Sequence, residues 1–319
     1  MFPVIDQLVL TCVVDNSYDI FAKAGRFGQL TVQRTAVPYP YGSGVMLLAE
    51  HGLAYHLESA SGTERKEILL DFSLTTRALT NNYQALKLDP AKADALIISH
   101  GHDDHYGGLP EFVRTLHGRF RPGITLYAGG EDTFSHRWQI KEGGRQEDRG
   151  ELSRSHLESR GINVVLATEP TVVAGHAITS GQIPRLTDYE LAPPSARLEA
   201  KPGELVKDNF QGEHATAYNV RGRGLVVISS CGHAGIVNTV RHFQNVTGVG
   251  HIHAVVGGWH LAPFADEVIA KTVAALKEIN PDYLLPMHCT GFRALATIHR
   301  EMPDKLILPA AGTRVVFGA

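Results

Sequence analysis

Short apolar runs separated by polar, turn-forming residues recur along most of the chain, and many have the length of single strands. The continuous apolar runs at 95–99 and 224–230 are typical of strands that are buried on both faces of a sheet. Residues 266–279 place apolar side chains at helical spacing and are followed by Asn280-Pro281, so they predict an amphipathic helix. Because strands and helices alternate and no internal repeat is found, we predict one α/β domain over residues 1–319.

The same pattern predicts the remaining elements. Strands are expected at 8–14, 68–70, 124–128, 252–256 and 283–285 and near Leu306 and Val315, helices at 75–88, 110–117 and 292–301, and a hairpin over 45–57 that turns at 50–52. Two segments are less regular: 129–161 is polar, and 182–210 contains four prolines. We interpret them as a surface insertion and a long loop or lid, since loops of that length are usually functional.

Composition narrows the class of protein. With 43% hydrophobic and 20% charged residues and a net charge of −3, the chain is expected to be a soluble globular protein without the basic excess of nucleic-acid-binding proteins. No apolar run reaches about 18 residues, so we expect no membrane association, and residues 1–16 do not read as a signal peptide. Three cysteines, an odd and sparse set, favour a reducing, cytoplasmic location. The expected partner is a small-molecule substrate, and the sequence does not indicate the oligomeric state.

Histidine is unusually frequent, with 17 residues, and three of them fall in one short motif. His100, His102 and His105 lie with Asp103 and Asp104 directly after the predicted strand at 95–99. Imidazoles suit zinc and iron, and carboxylates add charge to such sites. Because ligand sites gather at strand ends, we favour a metal site over a solvated histidine-rich loop.

The spacing His100-x-His102-x-Asp104-His105 resembles the His-x-His-x-Asp-His signature of the metallo-β-lactamase superfamily. The resemblance implies a four-layer αββα sandwich with a metal site between its two sheets. It also implies two divalent metal ions, for which we favour Zn²⁺ over Mn²⁺ or Fe²⁺, and Asp71 resembles the family's early strand-end aspartate. The motifs at 231–238, 257–261 and 288–291 together resemble the branch of 7,8-dihydropterin-6-methyl-4-(β-D-ribofuranosyl)aminobenzene-5'-phosphate synthase-like metal-dependent hydrolases.

The remaining metal ligands are expected at later strand ends. His288 sits where the superfamily places its last histidine ligand. The superfamily's usual third-histidine motif is absent, and its nearest counterpart carries Gln182 in place of histidine. We therefore predict that His233 supplies the missing imidazole and that Cys231, in the place of the usual bridging aspartate, ligates or lines the site. Cys289 is expected to be a buried packing thiol.

Three further residues are candidates for the substrate pocket. His260 follows Gly257-Gly258-Trp259 and is expected either to donate a proton to a leaving group or to orient a metal ligand. Trp259 could stack on a flat ring or lie in the core. His51 is a weaker candidate for a substrate contact.

These residues predict a metal-dependent hydrolase. Hydroxide formed at the metals would attack an ester or phosphoester, possible substrates being pterin-like or cyclic small molecules, and Asp104 would bind one metal and orient the hydroxide. Lactonase, nuclease or phosphodiesterase, and mononuclear-iron persulfide dioxygenase activities remain open as alternatives. A degenerate metal- or ligand-sensing protein is a fourth, because the usual bridging aspartate is missing.

Overall fold

The computed structural model describes residues 2–35 and 44–318, and within them we number the strands β1–β20 and the α-helices α1–α7. The strands are β1 Val4–Ile5, β2 Gln7–Val14, β3 Gly25–Phe27, β4 Leu30–Arg34, β5 Ala54–Ser61, β6 Glu64–Leu70, β7 Ala95–Ile98, β8 Thr125–Ala128, β9 Arg137–Ile140, β10 Gln146–Gly150, β11 Asn163–Leu166, β12 Thr171–Val173, β13 Ala177–Thr179, β14 Ala196–Lys201, β15 Glu204–Lys207, β16 Thr216–Val220, β17 Gly224–Ser229, β18 Ile252–Gly258, β19 Tyr283–Met287 and β20 Thr313–Gly318. The helices are α1 Thr76–Leu86, α2 Asp103–Tyr106, α3 Leu109–Thr115, α4 Arg154–Ser159, α5 Ile236–Thr247, α6 Asp266–Ile279 and α7 Phe292–Glu301.

Two large mixed sheets form the centre of the molecule. One has the strand order β11-β8-β7-β6-β5-β2-β20-β4-β3, and the other has the order β12-β13-β16-β17-β18-β19, with β1 added alongside β16. Strands β6, β7 and β8 run parallel in the first sheet, and β17, β18 and β19 run parallel in the second. The carboxyl ends of each parallel set therefore meet at one edge of its sheet.

Three apolar clusters define the layers of the fold. The first lies between the sheets and joins residues such as Leu10 and Tyr55 to Val226 and Leu285 of the other sheet. The second packs the outer face of the first sheet against α1, α3 and α4. The third packs the outer face of the second sheet against α5, α6 and α7. Helix, sheet, sheet and helix follow one another, so the predicted four-layer αββα sandwich is confirmed.

The two irregular segments are more ordered than the sequence predicted. Strands β9 and β10 of the first segment join β14 and β15 of the second in a separate four-stranded antiparallel sheet. The interpretation of 182–210 as a long loop is therefore wrong for 196–207. The hydrophobic pattern of the sequence did not indicate these strands, because their side chains are mostly polar. They are polar because the small sheet buries little of its surface.

The predicted hairpin over 45–57 is also wrong. Residues 45–53 form no strand, and β5 begins at Ala54 and pairs with β6 through the turn at Gly62. The segment before β5 instead carries Glu50, whose carboxylate accepts hydrogen bonds from Ser73 and Thr75. Near Leu306 only an isolated bridge to Leu284 forms, whereas the predicted strand near Val315 is β20. In the described ranges, no helix is long and apolar enough to cross a membrane.

Candidate metal centre

The ends of four strands deliver the predicted site residues to one place. His100 follows β7, and the short helix α2 carries Asp104 and His105. From the second sheet, β17 leads to Cys231 and His233, β18 to His260, and β19 to His288. These are the carboxyl ends of parallel strands in both sheets, so the site lies where the two sheets open toward each other.

Three imidazoles form one half of the cluster. Nitrogen atoms of His100, His102 and His233 lie within 4.8 Å of one another. Their ring centroids are 4.7 to 4.9 Å apart. Phe210 stacks on His233 at 4.0 Å and 17°, which fixes the plane of that ring. The backbone N–H groups of His233 and Ala234 donate to the buried Glu213 carboxylate, which holds the turn that carries the ring.

A carboxylate organises the other half. Asp104 Oδ2 lies 3.3 Å from His288 Nε2, 3.3 Å from His51 Nε2 and 3.7 Å from His105 Nε2. Asp104, His105 and His288 are buried, while the side chain of His51 is 60% exposed and stacks on His288. His51 therefore lies at the mouth of the cluster and the other three lie inside it.

Cys231 lies between the halves. Its Sγ groups with nitrogens of His100 and His105 within 4.8 Å. It also lies 3.1 Å from Cys289 Sγ and 3.4 Å from His260 Nδ1. Cys289 is buried as predicted, but it does more than fill space, because its sulfur accepts a hydrogen bond from the His260 backbone N–H.

Unpartnered ring nitrogens show that the donor set fits metal ions. His100 Nε2, His105 Nε2, His288 Nε2 and both ring nitrogens of His233 are buried without a hydrogen bond. A buried polar atom without a partner costs about 1–3 kcal/mol, so five in one cluster require an explanation. Neutral imidazoles beside a carboxylate are the donors that zinc and similar divalent ions prefer. The residues present therefore fit the group that the fold family implies.

Hydrogen-bonding contacts at Nδ1, the ring nitrogen that points away from the cluster, fix the orientation of three of these rings. His105 Nδ1 lies 2.7 Å from Asp71 Oδ2, His100 Nδ1 lies 3.0 Å from Ser99 Oγ, and His288 Nδ1 lies 3.0 Å from Asn16 Oδ1. Asp71 also accepts hydrogen bonds from the backbone N–H and the hydroxyl of Ser99. Each ring therefore has one nitrogen held by the protein and the other turned into the cluster.

Protonation differs between the halves. Burial, followed by the charges of nearby histidines, holds the pKa values of His100 and His233 well below the usual range, so both rings are neutral. Burial opposes ionisation of Asp104, but the neighbouring His105 and His288 hold its pKa well below the ordinary value. Burial also opposes protonation of His105, yet the Asp104 and Asp71 carboxylates raise its pKa to about 9. Burial raises the pKa of the Cys231 thiol, so a cation would be needed to make it a thiolate.

Backbone strain coincides with these residues. Asp71, His260 and His288 have φ angles of 59°, 43° and 52°, in the left-handed region that non-glycine residues rarely adopt. Such conformations cost of order 1–3 kcal/mol each and cluster at functional sites. Gly258 is needed for a different reason, which is the close packing of its backbone. A Cβ there would lie 2.8 Å from Cys289 Sγ and would collide with the Ser230 carbonyl.

The raised pKa of His105 predicts how metal affinity depends on pH. Below about pH 9 the metal-free protein holds a proton on this ring, and a metal ion must displace it. The apparent affinity for Zn²⁺ should therefore rise from pH 7 toward 9, by up to about tenfold per pH unit, and then level off. Competition with a chromophoric chelator measures this, and an affinity that is flat over that range would contradict it.

Asp71→Asn should weaken metal binding by about 10- to 100-fold, because it removes the charge that holds His105 Nδ1. The variant keeps the shape of the side chain, so the fold should persist. Glu67→Gln is a matched control on β6, the strand that directly precedes Asp71, and it lies beside His56 outside the cluster. Metal titration of the two variants checks the result, and equal affinity in both would refute a positioning role for Asp71.

The structure places the less certain site residues, His260, Trp259 and Gln182, in three different environments. His260 is half-buried and its ring lies 4.2 Å from that of His233, so it borders the cluster. Trp259 is only 1% exposed, packs in the outer apolar cluster and also borders the small cavity beside His233 and His260, so its core and pocket interpretations both stay predictions. Gln182 is exposed and its backbone N–H bonds to the Thr168 carbonyl. Of the three candidates for completing the donor set, the structure brings Cys231 and His233 to the cluster.

Several contributors were not singled out from the sequence. Asn16, Ser99, Phe210 and Glu213 orient ligating rings or the turns that carry them. Only Asn16 and Ser99 could have been found from the sequence. Both follow apolar strands, at the sheet edge that carries the histidine motif at 100–105. Phe210 and Glu213 come from the chain between the small sheet and β16, where no local pattern marks them.

Comparison with known proteins agrees with this geometry. The sequence model of the metallo-β-lactamase superfamily matches residues 59–183. A relative from Methanocaldococcus jannaschii named 7,8-dihydropterin-6-methyl-4-(β-D-ribofuranosyl)-aminobenzene-5'-phosphate synthase is 29% identical over 278 residues, which is 84% of this chain and 90% of the relative. A second protein of that organism, named only as uncharacterized, is 26% identical over 78% of this chain and 88% of its own length.

Among solved structures, Tm1679, described as a metal-dependent hydrolase of the β-lactamase superfamily, superposes with a TM-score of 0.70. It shares 22% identity, and the match covers 96% of this chain and 98% of that one. The fold therefore agrees over almost the whole length of both chains. The sequence therefore resembles the metallo-β-lactamase superfamily over residues 59–183, and the fold is similar to that of a solved member over nearly the whole chain.

Proposed function

We propose that this protein is a hydrolase that uses two divalent metal ions to cleave an ester or phosphoester bond in a small molecule. One observation carries the proposal: buried ring nitrogens of His100, His105, His233 and His288 that have no hydrogen bond converge around the buried Asp104 carboxylate. A purely structural cluster would leave the nitrogens of His100 and His233 without any partner, whereas cations would bind one nitrogen of each of the four rings.

Two donor groups would hold the ions. His100, His102 and His233 form the first, and Asp104, His105 and His288 form the second. Cys231 lies where it could serve either. When bound, divalent ions there would lower the pKa of water toward neutrality and stabilise negative charge that develops on a substrate oxygen. We favour zinc because imidazole dominates the donor set, with Mn²⁺ and Fe²⁺ as alternatives.

The chain itself supplies positioning and proton transfer. Asp104 is held as a carboxylate and can orient an attacking water through its oxygens. His260 borders the three-imidazole half, and its backbone is fixed by the hydrogen bond to Cys289 Sγ. We assign it the proton transfer to the leaving group. His51 stands beside Asp104 at the mouth, where it would contact substrate.

A small, partly apolar cavity lies beside the cluster. It is lined by His233 and His260 on one side and by Tyr189, Leu191 and Phe264 on the other. The segment that carries Tyr189 is tied to the site, because Arg185 donates hydrogen bonds to the Glu190 and His233 carbonyls. The M. jannaschii relative is named for a pterin and a ribose phosphate, so pterin-linked phosphates are the first substrates to test.

A substrate screen tests the proposal. Zinc-loaded protein is assayed against phosphodiesters, phosphomonoesters, lactones and thioesters, including pterin-linked phosphates, with chelated and reloaded protein as the matched control. We expect ester or phosphoester hydrolysis that chelation abolishes and zinc restores. Hydrolysis that survives complete metal removal would overturn the proposal, and oxygen consumption with a persulfide would favour the dioxygenase alternative instead.

A further inference from the structure

A second group of metal-ligating side chains lies at the opposite end of the parallel strands from the centre described above. His251 directly precedes β18, His253 is the second residue of that strand, and Asp282 directly precedes β19. The centre residues follow the other ends of these strands. Since β18 has seven residues, its two ends are about 20 Å apart, so this group is not an extension of the first.

The backbone explains why the three side chains meet. His251 and His253 are two residues apart, so their side chains project from the same face of the strand. Strand β19 pairs with β18 in parallel, with Tyr283 opposite Ala254, which places Asp282 beside His253. The Asp282 backbone N–H also donates to the Ile252 carbonyl, which fixes this register.

The three donor atoms converge on one point. Asp282 Oδ2 lies 2.9 Å from His251 Nε2 and 2.8 Å from His253 Nδ1, and all three atoms lie within 4.8 Å of one another. Two imidazoles and one carboxylate form a ligand set that zinc uses in proteins, with solvent completing the shell. Solvent can reach the site, because the side chains of His251 and Asp282 are 56% and 35% exposed.

Packing fixes the ring of His253 in an orientation that suits a bound cation. His253 is fully buried, and Tyr283 and Phe317 pack edge-on against its ring at centroid distances of 5.4 and 6.0 Å. Its Nε2 is buried without a partner, so Nδ1 is the one ring nitrogen that reaches another polar group. The ring is therefore fixed by packing with Nδ1 directed at the Asp282 carboxylate.

We propose that His251, His253 and Asp282 form a separate binding site for one divalent cation of the zinc type. The ion would join the start of β18 to the start of β19, the two strands whose far ends carry His260 and His288. Its role is to stabilise this strand pair, and the site does not take part in the reaction proposed above. The competing arrangement is a pair of ring N–H groups that share the Asp282 oxygen without an ion.

Zinc stoichiometry separates the two arrangements. Untagged protein is saturated with Zn²⁺, freed of loosely bound metal by dialysis and analysed by elemental mass spectrometry. The variants are His251→Ala and Asp282→Asn, with His299→Ala as the control because that histidine is exposed on α7. We expect each site variant to hold one zinc ion fewer than wild type and the control to equal wild type. Equal zinc content in wild type and both site variants would overturn the proposal.

A second measurement makes the result independent of the main centre. In a His102→Ala/His233→Ala background, added zinc should still raise the thermal midpoint through the remote site. Adding His251→Ala should reduce that rise. If the rise is the same with and without His251, the proposed site does not bind zinc, whatever the main centre does.

Discussion

His233→Ala is expected to lower the proposed hydrolytic activity about 1,000-fold and to remove one of the two proposed ions, whereas Gln182→Ala is expected to change neither. His233 closes the three-imidazole half, with its ring 4.8 and 4.9 Å from those of His102 and His100. Losing an ion removes several kcal/mol of transition-state stabilisation, and each 1.4 kcal/mol is about tenfold in rate. Gln182 occupies the position that the superfamily pattern gives to the third histidine, but it is exposed.

The pair of variants makes this prediction specific. Metal content and activity are measured on both proteins after identical zinc loading, with circular dichroism to show that each is folded. His233→Ala has a conservative companion, His233→Gln, which retains a polar side chain but not a strong zinc ligand. Full zinc content in His233→Ala, or loss of zinc in Gln182→Ala, would reverse the assignment.

Asp208→Ala is expected to destabilise the protein by about 3–5 kcal/mol, the largest loss of stability that we predict for a single change. Arg137 and Asp208 form a buried ion pair at 2.8 Å, with side-chain exposures of 2% and 0%. Removing the carboxylate leaves the buried guanidinium with backbone carbonyls and the more distant Asp132 carboxylate, 3.8 Å away, as its partners. One of these is the carbonyl of Gly101, which lies between two ligating histidines, so metal affinity should fall as well.

Denaturant unfolding of the metal-free and zinc-loaded proteins measures this effect. Arg119→Ala is the matched control, because Arg119 pairs with Asp89 at the surface and exposed pairs contribute little. Replacing both partners, as Arg137→Met/Asp208→Leu, should recover part of the loss, since no charge is then left buried alone. An unfolding free energy for Asp208→Ala that equals the control would show that the pair does not anchor the small sheet.

Local patterns explain why half of the metal centre could be predicted directly. His100, His102, Asp104 and His105 lie within one turn after a buried strand, so their proximity follows from chain connectivity. The long apolar runs at β7, β17 and β18 have buried faces on both sides, which also made the layered fold predictable. His233 and His288 required the family resemblance, because only the packing of two sheets brings them near the signature.

The remaining features depend on contacts that no local pattern encodes. The sheet formed by β9, β10, β14 and β15 joins segments about fifty residues apart, and its strands are mostly polar. Its anchor, Arg137, is a long charged side chain that sequence alone would place in solvent. Phe210 and Glu213 reach the site for the same reason, through tertiary packing.

The excess of histidine now has several separate causes. Five rings lie in the candidate metal centre, two border it, and two form the remote group with Asp282. Others serve buried hydrogen bonds: His56 lies beside Glu67, His176 beside the Ser59 hydroxyl, and His214 beside the Ile98 carbonyl. Histidine therefore acts in this chain both as a metal donor and as a polar member of the core.

Anomalous diffraction from zinc-loaded crystals, collected on both sides of the zinc absorption edge, will show directly whether two ions bind and which residues hold them. We predict two zinc peaks at the mouth between the sheets. One should lie about 2.0–2.1 Å from nitrogens of His100, His102 and His233, and the other at similar distances from Asp104, His105 and His288. A centre without zinc, or zinc that is not bound by His233, would contradict this prediction.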